Sequence, residues 1–474
     1  MNLHRRRTLF HETRRSNLYR VFIMVTLILA GVWIVSQVNL GQIRPLFLST
    51  PTPTRVASSY ATEGDDLFAA GKLEAAITAY GDAVKVDPTN AEVFAKLARI
   101  QTYSSSLLTT DAQRKQRLVE ALQSIDRGVA LAPDDSTVHA IRSFVLDWSA
   151  GAATTADERQ TFMLQAEQAA TRALQLDSQN ALAQAFFAEI LVDQQKWPQA
   201  EQVILQALDR DPSLMDVHRV YAYVLESTRR YRQAIEEYQK AIEINPNLTF
   251  LYISVGLNYR TLAISADLPT QQDQLYEQAL INFAMAANLN KQLEIQDPLP
   301  YVAIAKTYSQ KGDFLAATLN IKKALEFDSG NADLYGQMGI IYFKARNYES
   351  AIYALQCAVE GCTADGSCLA RYDTPCDAAQ GETGVAISGL ELSPRSLVYY
   401  YTYGSVLAAF GPRDANYCTR AVVVLDQVQA SYGTDSTVNA IVADGLSVCA
   451  AVAQKQLQTP TPYPTSTPLP TPRP

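Results

Sequence analysis

ALAQAFFAEILVDQQKWPQAEQVILQALDRDPSL, residues 181–214, is followed at once by MDVHRVYAYVLESTRRYRQAIEEYQKAIEINPNL, residues 215–248. Small residues and a proline recur 34 positions apart, as Ala188 with Ala222, Ala200 with Ala234, Ala207 with Ala241, and Pro212 with Pro246. Large residues keep the same phase, as Leu191 with Leu225, Trp197 with Tyr231, and Ile204 with Tyr238. A fixed period of this length predicts a stacked repeat architecture.

Each 34-residue segment reads as two helices joined by a turn. Its apolar residues recur at helical intervals in two runs, which polar tetrads at 193–196 and 227–230 separate. We expect the alanines to lie where two helices cross, because only small side chains let backbones approach closely. Pro212 and Pro246 cannot continue a helix, so each predicts the boundary between one unit and the next.

These residues resemble the tetratricopeptide repeat (TPR), which has small residues at repeat positions 8, 20 and 27 and a proline at position 32. The resemblance implies an all-α, right-handed α-solenoid. It also implies that the first helices of the units line an inner groove that binds other proteins. Weaker copies of the pattern predict about nine such hairpins in this chain, followed by a capping helix near residues 438–456.

Three of the units are longer than 34 residues. Units two, three and six each exceed the repeat length by 11 residues, which is about three helical turns. Helix-start patterns at Thr110 and Thr155, and Pro269 in unit six, lie well before the crossing positions. We therefore predict three elongated hairpins with long second helices; the alternative is a loop insertion.

The N-terminal region predicts a membrane anchor. The stretch 21–35 is almost continuously apolar, and six arginines with one glutamate lie among the first 20 residues, which favours a cytoplasmic N-terminus. A cleaved signal peptide is the alternative, and a twin-arginine export signal is a weaker one. The rest of the chain carries a net charge of −13, against −8 for the whole chain, which disfavours nucleic-acid binding.

The predicted organisation has seven parts. They are a basic cytoplasmic tail (1–20), a transmembrane anchor (21–38), a Pro/Thr linker (39–56), TPR units one to eight (57–361), a cysteine-containing loop (362–395), a degenerate unit with a capping helix (396–456), and a Thr/Pro-rich tail (457–474).

All six cysteines lie in the last quarter of the chain, which favours disulfides in an extracytoplasmic domain. Solenoid geometry places Cys418 near Cys449, so we expect that pair. Cys357, Cys362, Cys368 and Cys376 could then pair in three ways; a zinc site or reduced cysteines are the alternatives.

The sequence shows no catalytic constellation, phosphate-binding loop or calcium loop, so it predicts no enzyme, no cofactor and no metal site. The groove is the better candidate, because exposed aromatic and arginine side chains dominate many protein interfaces. The groove residues implied by the resemblance are Phe68, Arg99, Tyr103, Phe144, Trp148, Glu189, Asp193, Arg219, Tyr223, Phe250, Arg260, Lys306, Phe343 and Tyr401. Any single one could instead pack against a neighbouring unit.

The sequence thus predicts a single-pass, membrane-anchored extracytoplasmic TPR scaffold with a protein partner in its concave groove. An accessory subunit of an integral-membrane enzyme or transport complex is the first alternative. A glycan-processing enzyme is the second. The sequence leaves open the partner, the pathway, the oligomeric state, the cleavage of the N-terminal segment and the glycosylation of the tail.

Overall fold

A computed structural model describes residues 17–39, 55–108, 110–377, 379 and 381–458. The chain divides into two compact units, residues 1–56 and residues 57–474. Within residues 1–56, the described residues form a single helix. Most of the predicted basic tail and linker, and nearly all of the predicted Thr/Pro-rich tail, lie outside the described residues.

The described residues form 21 helices and no β-strand. In chain order they are α1 (Leu18–Asn39), α2 (Ala57–Ala69), α3 (Leu73–Val86), α4 (Ala91–Ser105), α5 (Asp111–Leu131), α6 (Ser136–Gly151), α7 (Ala156–Leu176), α8 (Ala181–Asp193), α9 (Trp197–Arg210), α10 (Met215–Ser227), α11 (Tyr231–Ile244), α12 (Thr249–Ile264), α13 (Pro269–Gln292), α14 (Leu299–Lys311), α15 (Phe314–Phe327), α16 (Ala332–Lys344), α17 (Tyr348–Val359), α18 (Ala364–Tyr372), α19 (Leu397–Phe410), α20 (Ala415–Tyr432) and α21 (Ser436–Gln458).

Nine helical hairpins form the solenoid, as the repeat pattern predicts. Within each hairpin the first helix packs along the second, and each second helix then packs on the hairpin that follows. The crossing alanines Ala188, Ala200 and Ala207 have no exposed surface. In unit one Gly64 takes the crossing position, where an added Cβ would lie 2.6 Å from the Tyr80 ring. The predicted α-solenoid is therefore confirmed.

The three elongated hairpins are also present. Helices α5 and α7 have 21 residues and α13 has 24, whereas α9 and α11 have 14. Thr110 caps α5 with a complete capping box, and the Thr155 side chain accepts a hydrogen bond at the start of α7. Leu118, in the added turns of α5, is 4% exposed. The extra turns therefore pack as helix rather than forming a loop.

The cysteine-containing segment is more ordered than the predicted loop. It contains α18, and Cys362 pairs with Ile387 in an isolated antiparallel bridge. Cys357 is joined to Cys362 and Cys368 to Cys376, with Cα atoms 4.7 and 5.2 Å apart. These two short links were among the pairings that the sequence left open.

Helix α21 covers the last hairpin. One of its faces packs on α19 and α20, and Val442 on that face has no exposed surface. The structure pairs Cys418 of α20 with Cys449 of α21, with Cα atoms 5.2 Å apart. Helix α21 is long and apolar enough to cross a membrane, but its packed face and its disulfide indicate a capping helix.

The first five units curve so tightly that the end of unit five returns to unit one. The Asn247 side chain, just before α12, donates a hydrogen bond of 3.0 Å to the Ala69 carbonyl. Gly71, in the turn of unit one, has φ +78°, and an added Cβ there would overlap the Asn247 carbonyl oxygen. A second return contact joins Arg395 to Asp111 at 2.6 Å. This closure was not predicted, and it determines which inner residues remain accessible.

Candidate binding site on the inner face

A buried polar network joins first helices from different units across the inner face. Asp216 of α10 has no exposed surface and accepts hydrogen bonds from the Arg99 guanidinium and the Tyr103 hydroxyl of α4. Arg219, one helical turn later, donates to both carboxylate oxygens of Glu189 at 2.8 and 2.6 Å. The adjacent positive charge of Arg99 keeps the pKa of the Asp216 carboxyl below its usual range, although burial opposes that shift.

Aromatic rings fill the space between these charges. The Tyr103 ring stacks on Phe250, with centroids 5.2 Å apart, and contacts Phe144 at 5.1 Å. The Arg219 guanidinium lies 5.4 Å from the Phe144 centroid and 5.9 Å from that of Trp148. The inner helices of units two to six therefore share one mixed aromatic and ionic core.

The predicted exposure of several groove residues is consequently wrong. Tyr103 and Phe144 are 0% and 1% exposed, and Arg219 is 7% exposed. The tight curvature brings α4 against α10, so these side chains contact one another instead of solvent. Phe68 also lies inside this assembly, half-buried beneath the Arg99 guanidinium at 5.3 Å.

A cavity of about 450 Å³ remains beside this core. Trp148, Tyr223 and Phe250 are half-buried in its wall, together with Ile253 and Leu299. Its polar lining comes mainly from the helices α6, α8 and α10 of three successive units. Side chains four residues apart lie on one helix face, which brings Glu189 and Asp193, and likewise Arg219 and Tyr223, to the same cavity.

Three carboxyl groups line the cavity. Asp147 is 2% exposed, and within the described residues neither of its oxygens has a hydrogen-bond partner. Burial, followed by the negative charges of Asp193 and Glu189, raises the pKa of the Asp147 carboxyl well above its ordinary value. Asp193, at the exposed end of α8, accepts a hydrogen bond of 2.6 Å from the Tyr223 hydroxyl. Although the residue keeps exposed surface, partial desolvation of its carboxyl by the cavity wall, reinforced by the negative charge of Glu189, raises the pKa of Asp193 to about 6.

Asp147 is the charged cavity residue that sequence reasoning missed. It lies one residue before Trp148 and is the only charged side chain between Ser143 and Gly151 in an otherwise apolar stretch of α6. A lone carboxylate at repeat position 12, one of the inner-face positions, is the signal that could have identified it.

The remaining predicted groove residues lie in units six to nine, where the inner face is more open. Neighbouring first helices pack closely in units two to five, but they make few contacts in units six to nine. Lys306 and Phe343 are exposed, and Tyr401 is half-buried. Arg260 is half-buried, with its guanidinium 5.8 Å from the Phe283 centroid. The structure thus divides the predicted site into a closed part and an accessible part.

Family models match three parts of this architecture. A model described as TPR repeat matches residues 64–101, and models described as tetratricopeptide repeat match residues 187–248 and 300–331. The chain contains tetratricopeptide repeats. The first matched segment runs from unit one into the first helix of unit two, the second lies in units four and five, and the third lies in unit seven. No curated protein matches the sequence.

Solved human IFIT1 structures share the fold of this chain at low sequence identity. A human IFIT1 dimer with PPP-AAAA has 15% identity and a TM-score of 0.52, over 85% of this chain and 92% of that chain. A human IFIT1 dimer with m7Gppp-AAAA has 15% identity and a TM-score of 0.52, over 90% of this chain and 93% of that chain. A thermophilic TPR protein of Thermus thermophilus has 20% identity and a TM-score of 0.36, over 43% of this chain and 98% of its own.

Proposed function

We propose that this TPR protein is a membrane-anchored, extracytoplasmic scaffold that binds a protein partner on the inner face of units six to nine. The observation that carries the proposal is the accessible inner face around Lys306 and Phe343, in a chain whose repeats belong to a family of interaction scaffolds. A projecting aromatic ring and a cationic side chain on one rigid face suit a protein interface.

The anchoring part of the proposal rests on α1. Residues Leu18–Gln37 have a mean hydropathy of 2.2, and the apolar side chains of this helix are exposed. The arginine-rich sequence before α1 favours a cytoplasmic N-terminus, which would place the repeats outside the cytoplasm. The three disulfides of the solenoid agree with a location outside the cytoplasm, since disulfides persist in oxidising environments. A cleaved signal sequence remains the alternative for α1.

Site-specific photo-crosslinking tests the partner surface. A photoreactive residue replaces Phe343 on α16 in the full chain in its native membrane, and the matched control carries the same residue at Tyr353 on the second helix α17. The two parent residues are 37% and 41% exposed. We expect a discrete crosslinked partner from position 343 and none from position 353.

A second variant checks that the crosslink reports binding. Lys306→Glu should reduce the yield from position 343, whereas Lys85→Glu, on the second helix α3, should not. Equal crosslinking from positions 343 and 353, or none from either, would contradict the proposed surface. N-terminal sequencing of the membrane-bound protein separates an uncleaved anchor, which begins near Met1, from a cleaved signal.

A further inference from the structure

We propose that the inner cavity between α6, α8, α10 and α12 binds an organic cation, a primary ammonium or guanidinium group carried on an apolar stem. This inference does not depend on the proposed scaffold surface, because Lys306 and Phe343 do not line the cavity.

The first argument is charge. Asp147, Glu189 and Asp193 line the cavity together with a single cation, Arg219. Arg219 is committed to Glu189 through two hydrogen bonds, and its Nε donates to the Tyr103 hydroxyl at 3.2 Å. Within the described part of the cavity, Asp147 and Asp193 form no salt bridge, although Arg219 acts on both carboxyl groups, and Arg159 on Asp193, from beyond salt-bridge distance. Even with the Asp147 carboxyl protonated, as its raised pKa favours, the negative charges of Glu189 and Asp193 exceed the single positive charge of Arg219, so a cation is favoured there and a phosphate is not.

The second argument is the unsatisfied state of Asp147. A buried carboxyl group without a hydrogen-bond partner costs about 1–3 kcal/mol, and such groups are uncommon in folded proteins. Both Asp147 oxygens lack a partner, although the side chain lines a cavity that could admit a donor. A bound ammonium has three N–H donors and a guanidinium has five, so either could satisfy both oxygens.

The third argument is the chemistry of the remaining wall. The indole of Trp148 and the rings of Tyr223 and Phe250 offer aromatic surface to a cationic head group and to an alkyl stem. Hard metal ions prefer six or more oxygen ligands, which this largely apolar lining does not offer. The volume of about 450 Å³ falls within the range of small-molecule sites and suffices for a group of lysine or arginine size.

The access route follows from exposure. Asp193 and Gly151 are exposed, whereas Asp147 lies at the buried end. A cation entering past Asp193 would meet one carboxylate at the entrance and the Asp147 carboxyl group, whose ionised form it would stabilise, at the buried end. The Tyr223 hydroxyl, which donates to Asp193, orients the outer carboxylate. The same arrangement could accept a free amine or the side chain of a lysine or arginine in a polypeptide.

Isothermal titration calorimetry on the full chain in lipid nanodiscs at pH 7.5 tests the site. The probes are cadaverine, agmatine and an acetylated, amidated lysine peptide, with 1-pentanol and glutarate as neutral and anionic controls. We expect saturable binding of at least one cationic probe and none of the controls. Binding by the free amines identifies a small-molecule source, and binding by the peptide alone identifies a polypeptide source; both support the site.

Matched variants locate the binding. Asp147→Asn and Asp193→Asn should each weaken cation binding at least tenfold, while Asp209→Asn, an exposed carboxylate on α9, should leave it unchanged. Circular dichroism verifies the helical fold of each variant, and the exposed Asp193 keeps the test informative if Asp147→Asn disturbs folding. No binding of any cationic probe tighter than about 1 mM, or undiminished binding in both cavity variants, would overturn the proposal. Binding of glutarate that becomes tighter in the two cavity variants than in the wild type would also overturn the proposal.

Discussion

At the scale of single residues, Asp147 lies in an environment that disfavours its charged form. Its raised pKa means that the folded protein holds a proton there that the unfolded chain releases above about pH 3.8. Folding stability therefore falls as pH rises from that value towards the folded-state pKa. The negative charges of Glu189 and Asp193 add to the effect, and the positive charge of Arg219 opposes it.

Asp147→Asn should therefore stabilise the protein at neutral pH by about 1–3 kcal/mol, because it removes a carboxyl group that burial disfavours in its charged form. The gain should shrink as the pH approaches 4, where the unfolded chain also becomes protonated. Denaturation midpoints of the wild type and the variant at pH 7.5 and pH 4 provide the measurement. Asp209→Asn, an exposed control, should change neither midpoint. An equal effect of Asp147→Asn at both pH values would contradict this account of Asp147.

At the scale of secondary-structure elements, the long second helices are packed extensions of ordinary hairpins. The added turns of α5 bury Leu118 and contribute ion pairs, such as Lys115 with Glu158 of α7 at 2.7 Å and Arg117 with Glu74 at 2.7 Å. Most of these charged groups are partly exposed, so the buried leucine contributes more than the ion pairs do.

Deletion of the 11 residues 110–120 should preserve the hairpin phase and the helical spectrum. The midpoint of thermal unfolding should fall by several degrees, since burying one leucine contributes about 2–3 kcal/mol. Far-UV circular dichroism with a thermal scan provides the measurement. Loss of the helical signal already at about 20 °C, far below the usual unfolding range, would show that the added turns are required for the fold.

The capping helix α21 leads to a second prediction for an element. The Cys418–Cys449 link closes a separation of 31 residues, for which chain-entropy arguments give about 3–4 kcal/mol. In the double variant Cys418→Ser/Cys449→Ser, amide hydrogen exchange in α21 should accelerate, while exchange in α8 and α10 should not. A matched Cys357→Ser/Cys362→Ser variant opens a link across only five residues and should leave α21 protected. Equal protection of α21 in wild type and the first variant would contradict a stabilising role for this link.

At the scale of the whole solenoid, the sequence predicted the helical hairpins better than the binding site on the inner face. The period, the crossing alanines and the helix-start residues act within or between neighbouring units, so local spacing predicted them. The contact of Arg99 with Asp216 spans 117 positions and depends on curvature accumulated over several units. That curvature buried Tyr103 and Arg219 and created the cavity lined by Asp147, neither of which a single repeat specifies.

The return contact between unit one and the end of unit five can be tested by matched glycine substitutions. Gly71 and Gly312 lie in equivalent turns with φ +78° and +84°, so alanine imposes a similar backbone cost of about 1–2 kcal/mol at both. At Gly312 an added Cβ meets nothing within 4 Å, whereas at Gly71 it overlaps the Asn247 backbone. Gly71→Ala should therefore lower the unfolding midpoint more than Gly312→Ala and should increase the hydrodynamic radius, because unit one must move away from the end of unit five. Equal midpoints and radii for the two variants would show that this contact does not hold the first turn of the solenoid closed.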